Sequence, residues 1–281
     1  MHRPTTLTLS AAFVLLGSFG CGSSNEKVSS APPAVCEAIG YHVESNAVAL
    51  DRVRARIRLP SGEAAADLPV QVCGIDACVP SDTDANGVLD VPLRQSMTLP
   101  ALKYGDGFDF AELAAPISED NQDLGELVAS PLPPFSEGAK FPSSGALTSG
   151  DLTLQLASNG SVEHDILTYR DDQLVFRSVP VPVAESPRAL PPEFGFELAY
   201  GVAPLGTTFC PPAKLSLKNK ENWPAGSEVE VFVQGLDVLE DWAPYGTWLS
   251  VAEARVSSDG RSIDTTSGGI PILSSIALRR K

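Results

Sequence analysis

The chain has 281 residues, with 20 basic and 35 acidic side chains and a formal net charge of −15. A chain this acidic is unsuited to binding nucleic acid or to holding an anionic membrane through a basic patch. Its 24 prolines and 23 glycines are spread along the sequence. Long runs with helical periodicity are missing, so we expect an all-β protein of many short strands.

The N-terminus has the pattern of a secretory signal. Arg3 carries the early positive charge, and the run from Leu7 to Gly20 has no charged residue. This run is shorter than the ~20 residues that an apolar helix needs to cross a bilayer. We therefore predict a cleaved signal peptide over residues 1–20. Its removal deletes one basic residue and no acid, which leaves a net charge of −16.

The segment Ser18-Phe19-Gly20-Cys21 resembles the lipobox of bacterial lipoproteins. Gly20 and Cys21 match that pattern, whereas Ser18 stands where Leu is usual and Phe19 is bulky. The resemblance implies lipidation of Cys21 and a membrane as partner through the lipid anchor. Gly22 in place of Asp implies the outer membrane or cell surface. The alternative is an ordinary signal peptide, with Cys21 as a thiol or disulfide partner.

Composition divides the rest of the chain into four parts. Residues 21–34 are small and polar and predict a flexible tether. We expect a first β-sandwich domain over residues 35–130 and a second over 150–281. Residues 131–149 are rich in Pro, Ser and Gly and predict a linker.

Four cysteines remain once Cys21 is set aside, and an even set in an exported protein predicts disulfides. Cys73 and Cys78 enclose a short segment with Gly and Asp, which favours a bridge across a hairpin. Cys36 would then pair with Cys210. Other pairings stay open. A metal site is disfavoured because His42 and His164 are the only histidines that remain after the signal.

The first half alternates strand and turn signals. Val53–Leu59 alternates apolar and basic residues, which predicts a half-exposed strand. Leu68–Val72 and Val88–Leu93 are further strand candidates. Asn86-Gly87 predicts a tight turn before the last of them, because both residue types tolerate positive φ.

Three pieces of this half resemble the carboxypeptidase regulatory-like domain, a small β-sandwich common in exported bacterial proteins. They are Arg56–Leu59, Leu68–Val72 and Thr83–Leu89, and the resemblance covers roughly residues 50–130. It implies no peptidase chemistry, because in those enzymes the metal ligands belong to a separate catalytic domain.

The second half carries alternating segments at Gly150–Leu156 and Glu228–Gln234. A Gly-x-Trp at 246–248 and the Asp-Gly turn of 256–260 resemble β-sandwich domains of bacterial surface proteins and, more distantly, of ankyrins and netrin receptors. The resemblance covers residues 195–278 and implies no enzymatic activity. The whole chain is therefore predicted to be two immunoglobulin-like β-sandwiches behind a lipoprotein signal.

Oxygen-bearing side chains recur at alternate positions in one turn, at Asp82, Asp84 and Asn86, with Asp90 beyond them. Such spacing suits a weak calcium site. Leu93 stands where a calcium loop needs a bidentate Glu, so a polar hairpin turn is the favoured interpretation.

Catalytic motifs are missing from the sequence: it has neither Gly-x-Ser-x-Gly nor His-Glu-x-x-His. His42 and His164 are the only histidines after the signal, and we expect both to be surface or edge residues. We predict no cofactor. Trp242 and Tyr245 could form an exposed aromatic patch for a sugar or a partner, although core packing is favoured.

These features favour a non-enzymatic surface lipoprotein with a structural, adhesive or partner-binding role, whose partners are other surface proteins or glycans. The first alternative is a carbohydrate-binding module of the cell envelope. The second is a hydrolase that uses a pair of carboxylates.

Overall fold

A computed structural model describes residues 47–164, 168–237 and 242–281. All of them belong to one compact unit. The signal peptide, the tether, Cys21, Cys36 and His42 lie outside the described residues. Within the described ranges the regular structure is all-β with four short 3-10 turns and no α-helix, as the sequence predicts.

Nineteen strands follow one another within the described ranges. Their bounds are β1 Ala47–Arg58, β2 Pro69–Cys73, β3 Cys78–Asp82, β4 Val88–Thr98, β5 Ala101–Tyr104, β6 Leu113–Pro116, β7 Asp123–Val128, β8 Ala139–Lys140, β9 Gly145–Ser149, β10 Leu152–Leu156, β11 Ser161–Glu163, β12 Val175–Pro180, β13 Leu198–Ala203, β14 Thr208–Lys218, β15 Glu228–Gln234, β16 Trp248–Val256, β17 Ser262–Gly268, β18 Ile270–Ile272 and β19 Ile276–Arg280. The 3-10 turns are Phe135–Glu137, Asp171–Gln173, Val183–Glu185 and Pro192–Phe194.

The first seven strands form two small sheets. One has the order β4-β1-β7 and the other β3-β2-β5-β6. β1 pairs antiparallel with β4 and parallel with β7. The predicted alternation of buried and exposed residues in β1 is confirmed. Val53, Ala55 and Ile57 are buried, and the intervening arginines face outward.

The inward faces of the two small sheets share one hydrophobic cluster. Ile57 of β1, Val72 of β2 and Leu102 of β5 are each 0% exposed within it. Residues from the second half, including Phe232 and Trp248, complete the same cluster. The apolar core therefore continues from the small sheets into the rest of the unit.

The Asn86-Gly87 turn is confirmed. Gly87 has φ +72°, and a Cβ at this position would lie 2.2 Å from the carbonyl oxygen of Ile57. Both the dihedral angle and the close approach require glycine. Asp84 Oδ1 accepts hydrogen bonds from the backbone N–H groups of Asn86 and Val88, each at 2.8 Å. The Asp84 carboxylate therefore stabilises the turn by accepting two of its backbone N–H groups.

The remaining strands form one large sheet with the order β8-β12-β13-β19-β15-β16-β17-β14-β10-β9; β11 and β18 also pair with β14. The two ends of this path meet. Ser149 Oγ, at the end of β9, accepts from the backbone N–H of Ser178 on β12 at 2.8 Å. Ser178 Oγ in turn donates to the Ser149 carbonyl at 2.7 Å. These two bonds bring the antiparallel sheet close to a closed ring.

Two expectations differ from this arrangement. Residues 131–149, expected to form a linker, contribute a 3-10 turn and the strands β8 and β9. Residues 150–281 were expected to form a two-sheet sandwich, whereas their main strands follow one hydrogen-bonded path. The alternation of apolar residues is the same in both architectures, because a strand with one buried face has the same period in a sandwich and in a ring.

Two buried polar side chains connect the small sheets to the large one. Gln234 on β15 is 0% exposed; its Oε1 accepts from the Ala114 N–H at 3.1 Å, and its Nε2 donates to the Ala114 carbonyl at 2.7 Å. Arg177 on β12 is 1% exposed and donates to the carbonyls of Phe108 and Pro133 at 2.6 and 3.0 Å. Its guanidinium lies 3.8 Å from the ring centroid of Phe135.

Candidate functional site

A cleft lies between the four-stranded sheet and three loops of the large sheet. Its outer part is a cavity of about 610 Å³, and it adjoins a smaller recess of about 130 Å³. Both parts share Lys103, Asp106, Glu112 and Thr168. The outer part is further lined by Pro69, Val70, Gln71, Pro80, Ser81, Asp82, Gly105 and Phe108, and the recess by Tyr169, Leu205, Gly206, Leu236 and Asp237.

Strand alternation builds one wall of this cleft. On β5, Leu102 and Tyr104 point into the core, so Lys103 between them points to the opposite face. The pairing register places Lys103 beside Gln71, and Gln71 beside Pro80. This cross-strand row is the wall that the loops of the large sheet face.

An ion pair lies where the outer part meets the recess. Lys103 Nζ is 2.9 Å from Glu112 Oε1, and the two side chains are only 18% and 13% exposed. Burial raises the pKa of Glu112 above its usual value, and the charges of Asp106 and Asp237 act in the same direction. Lys103 opposes this increase.

Asp106 is held by its own loop. Its Oδ1 accepts backbone N–H groups from Phe108, Asp109 and Phe110 at 2.8–2.9 Å. The carboxylate therefore has a fixed position at the edge of the cleft, on a loop whose other side contacts the large sheet. The ring of Phe108 lies 4.9 Å from the ring of Tyr169, centroid to centroid.

The two residues of the predicted aromatic patch differ in exposure. Tyr245 is 5% exposed, so its ring does not offer a surface on which a sugar could stack. Its hydroxyl has no hydrogen-bond partner among the described residues. Burial, together with the charges of Glu112 and Asp237, raises the pKa of that hydroxyl. Trp242 is half-buried. Tyr245 therefore packs in the core and does not form an exposed binding patch.

Trp248, the aromatic residue of the Gly-x-Trp motif at 246–248, also packs in the core. It is 5% exposed within the shared cluster, and its Nε1 donates to the Ala189 carbonyl at 2.8 Å. Its ring meets Phe196 edge-to-face, with centroids 5.0 Å apart. The Gly-x-Trp motif therefore has a packing role.

The candidate calcium residues point in different directions. Asp84 accepts from two backbone amides of its turn, and Asp90 pairs with Arg52 at 2.8 Å on the outer sheet face. Asp82 lines the outer cleft. Among the described residues no group of three or more His, Cys, Asp or Glu side chains could hold a metal ion. The geometry favours the polar-turn interpretation of this segment.

The local disulfide is confirmed. Cys73 and Cys78 are directly opposite on β2 and β3 and are bonded to each other. Cys210 is also disulfide-bonded. Its predicted partner, Cys36, lies outside the described residues, as does the lipidation site Cys21.

His164 follows β11 and is half-buried. Its Nδ1 lies 3.1 Å from Thr207 Oγ1, and its ring meets Phe141 edge-on at 4.6 Å. Burial lowers its pKa. These contacts account for the ring as part of the packing beside an edge strand.

Sequence reasoning did not single out Lys103, Asp106 or Glu112. One local signal exists: Asp106 stands between Gly105 and Gly107, and both glycines have positive φ. A Gly-Asp-Gly turn after a strand indicates a tight, fixed loop. The pairing of Lys103 with Glu112 carries no such signal, because the eight residues between them include a loop whose path the sequence does not predict.

Comparison with protein-family models, with curated proteins and with solved structures gives no match for this chain. Over residues 47–164, 168–237 and 242–281, no helix is long and apolar enough to cross a membrane.

Proposed function

We propose that this protein is an exported, lipid-anchored envelope protein with a non-enzymatic binding role, and that the cleft at Lys103 and Glu112 is its ligand site. The observation that carries the proposal is the ion pair between these residues, which lies where a large cavity meets a smaller recess. Replacing both residues of a buried ion pair by apolar side chains often leaves the stability of a fold unchanged or higher. A binding role is a physical reason to retain it.

The charges and walls of the cleft indicate the chemistry of the ligand. Asp106, Glu112 and Asp237 outnumber Lys103, so the site favours a cation. Leu205 and Leu236 give the recess an apolar wall suited to an aliphatic chain. We infer a ligand that ends in a protonated amine on an aliphatic stem.

Isothermal titration calorimetry with two five-carbon probes of opposite charge tests this inference. We expect cadaverine, a dication, to bind the full-length protein and glutarate, a dianion, not to bind. Glu112→Gln keeps the shape of the side chain and removes its charge, so cadaverine should bind the variant at least about tenfold more weakly.

Glu119→Gln is the matched control, because Glu119 is exposed and is not part of the cleft lining. Its affinity for cadaverine should equal that of the wild type. Equal binding of cadaverine and glutarate, or an equal loss in both variants, would contradict the proposed site.

The anchor is supported by the sequence and by the oxidised cysteines. Cys73–Cys78 is a disulfide and Cys210 is disulfide-bonded, as suits a protein that leaves the reducing cytoplasm. Mass spectrometry of the mature N-terminal peptide tests the anchor. We expect a peptide that begins at Cys21 and carries diacylglycerol and an N-acyl chain, and no acylated peptide from Cys21→Ser. An unmodified N-terminus would contradict lipidation.

We propose the finer fold assignment for the first half only. Seven strands in a three-stranded and a four-stranded sheet around one core support a sandwich of the carboxypeptidase regulatory-like type. An experimental structure of the whole chain tests it: the two sheets should pack face to face about 10 Å apart.

A carboxylate-based hydrolase is the second candidate, because burial raises the pKa of Glu112 beside Asp106 and Asp237. A carboxyl group of raised pKa near another carboxylate is the arrangement of a general acid. A panel of chromogenic glycosides separates the two candidates. Turnover that disappears in Glu112→Gln would establish the hydrolase, and no turnover is expected for the binding protein.

A further inference from the structure

Four arginines form a row on the outer face of the three-stranded sheet. Arg52, Arg54, Arg56 and Arg58 occupy alternate positions of β1, so all four side chains lie on the face away from the core. Over six residues of strand, the row spans ~20 Å. It is a concentration of cations in a chain with a net charge of −15.

The two ends of the row are fixed by carboxylates. Arg52 Nη1 contacts both oxygens of Asp90, at 3.0 and 2.8 Å. Arg58 donates through Nε to Glu126 at 2.5 Å and through Nη2 to Glu185 at 2.6 Å. The pKa of Arg58 is raised by these two bonds.

The two middle arginines are less engaged. Arg54 Nε lies 3.7 Å from Asp90 Oδ1, whose carboxylate is already bonded to Arg52, and the Arg54 side chain is 55% exposed. Arg56 is exposed and forms no ion pair within the described part of the chain, although its charge helps to lower the pKa of Asp84. Glu126 is opposite Arg56 in the register, but its carboxylate accepts a hydrogen bond from Arg58. Arg54 and Arg56 therefore retain guanidinium donors for a ligand.

An exposed apolar side chain adjoins this pair. Val88 lies opposite Arg56 on β4 and is 41% exposed, one of the two large hydrophobic residues that are exposed among those described. Planar guanidiniums bind carboxylates and phosphates with two parallel hydrogen bonds. Beside them, Val88 supplies a surface for the apolar face of a sugar ring.

We propose that the row of arginines on β1 binds an acidic polysaccharide, with Arg54 and Arg56 holding its carboxylate or phosphate groups. A row of about 20 Å fits a linear chain better than a single small anion. An anionic bilayer fits less well, because attraction to a membrane scales with the accumulated basic charge. Five nearby carboxylates offset that charge, so only ligands that reach individual guanidiniums gain from it: Asp84, Asp90, Asp123, Glu126 and Glu185.

Calorimetric titration of the full-length protein with an oligogalacturonate of about six sugars, which spans the ~20 Å row, tests the proposal. We expect binding that weakens between about 20 and about 150 mM NaCl, because the contacts lie on an exposed face. The methyl-esterified oligomer keeps the sugars and removes the charges, so it should not bind. Arg54→Gln with Arg56→Gln should weaken binding about tenfold or more.

The matched control is Lys218→Gln with Lys220→Gln. These two cations are both 67% exposed and pair with Asp151 on the large sheet. The control should bind the oligomer as the wild type does. Equal loss in the two double variants, or equal binding of the esterified oligomer, would overturn the proposal.

Vesicles rich in phosphatidylglycerol form the second arm of the experiment. The Cys21→Ser protein is used in this arm, because an acylated Cys21 would bind vesicles by itself. Vesicle binding that disappears in Arg54→Gln with Arg56→Gln, without binding of the oligogalacturonate, would overturn the polysaccharide assignment in favour of a lipid surface. Circular dichroism and the urea midpoint of each variant establish folding. The Arg54 and Arg56 side chains are exposed, so their double variant should unfold close to the wild-type midpoint. The lysine control removes both cations from Asp151, which is 13% exposed, so its midpoint should be lower while the protein stays folded.

Discussion

The small sheets and the large sheet solve the same problem in different ways. Both are antiparallel or mixed sheets with one face buried, and both must protect their edge strands from pairing with other chains. The large sheet brings its two ends together through Ser149 and Ser178. The small sheets leave edges and instead carry a disulfide across the β2–β3 hairpin.

The open arrangement of the small sheets leaves surface for binding. Both candidate sites use it: the cleft lies on the outer face of the four-stranded sheet, and the arginine row lies on that of the three-stranded sheet. The large sheet contributes loops to the cleft and side chains to the shared core. The nearly closed sheet therefore acts as the support, and the open sheets carry both candidate sites.

The largest effect is expected at Gln234, whose amide bonds both the N–H and the carbonyl of Ala114. Gln234→Leu leaves two buried backbone groups unpaired and should lower the free energy of unfolding by about 3 kcal/mol. Urea denaturation followed by tryptophan fluorescence and by far-UV circular dichroism measures this. The wild type should unfold in one transition, because the core is shared. Two separate transitions in the wild type would show that the two regions are independent.

Arg177 tests the second connection between the regions. Arg177→Met leaves the carbonyls of Phe108 and Pro133 without their donor, which should cost about 2 kcal/mol after the relief of burying a charge is included. Arg177→Lys keeps the charge and loses the forked geometry, so it should lie between the wild type and the Met variant. A variant as stable as the wild type would mean that Arg177 does not connect the regions.

The disulfide tests the small sheets by themselves. Cys73→Ser with Cys78→Ser opens a short loop and should destabilise the protein by about 2 kcal/mol. Hydrogen exchange should show faster exchange of the β2 and β3 amides, while the β15 and β16 amides keep their protection. Uniform loss of protection in all four strands would contradict a local role for the bridge.

Closure of the large sheet is tested at its seam. Ser149→Ala removes the acceptor of the Ser178 N–H and should cost about 1 kcal/mol. Thr148→Ala is the neighbouring control, because Thr148 is exposed. Hydrogen exchange of the Ser178 amide should accelerate in the first variant only. An unchanged rate would mean that the seam bonds do not hold the ring.

The smallest effect is the pH dependence that comes from Glu112. Its pKa is raised in the folded state, chiefly by burial, so its contribution to stability is fully present below the unfolded pKa near 4.5. That contribution is lost as the pH rises through the folded pKa. Relative to the wild type, Glu112→Gln should therefore gain stability between pH 4 and pH 8. A constant difference across this range, measured by urea titration, would contradict the raised pKa.

The sequence by itself determined the class of the fold and much of the first half. Alternation at Val53–Leu59, the Asn86-Gly87 turn and the Cys73–Cys78 bridge depend on contacts between near neighbours in the chain, and all three are present in the structure. Local patterns of this kind report which face is buried and where a strand must turn.

The tertiary structure alone decided how the sheets are arranged and where the cleft lies. The period of a strand is the same in a sandwich and in a nearly closed sheet, so the path from β8 to β9 had no sequence signal. Lys103 and Glu112 meet because a strand and a loop place them together. The sequence favours core packing of Tyr245, but it does not predict that Cys73, Ala101 and Ala114 of the small sheets are its neighbours. Contacts across sheets and loops determine these features, and no local sequence pattern predicts them.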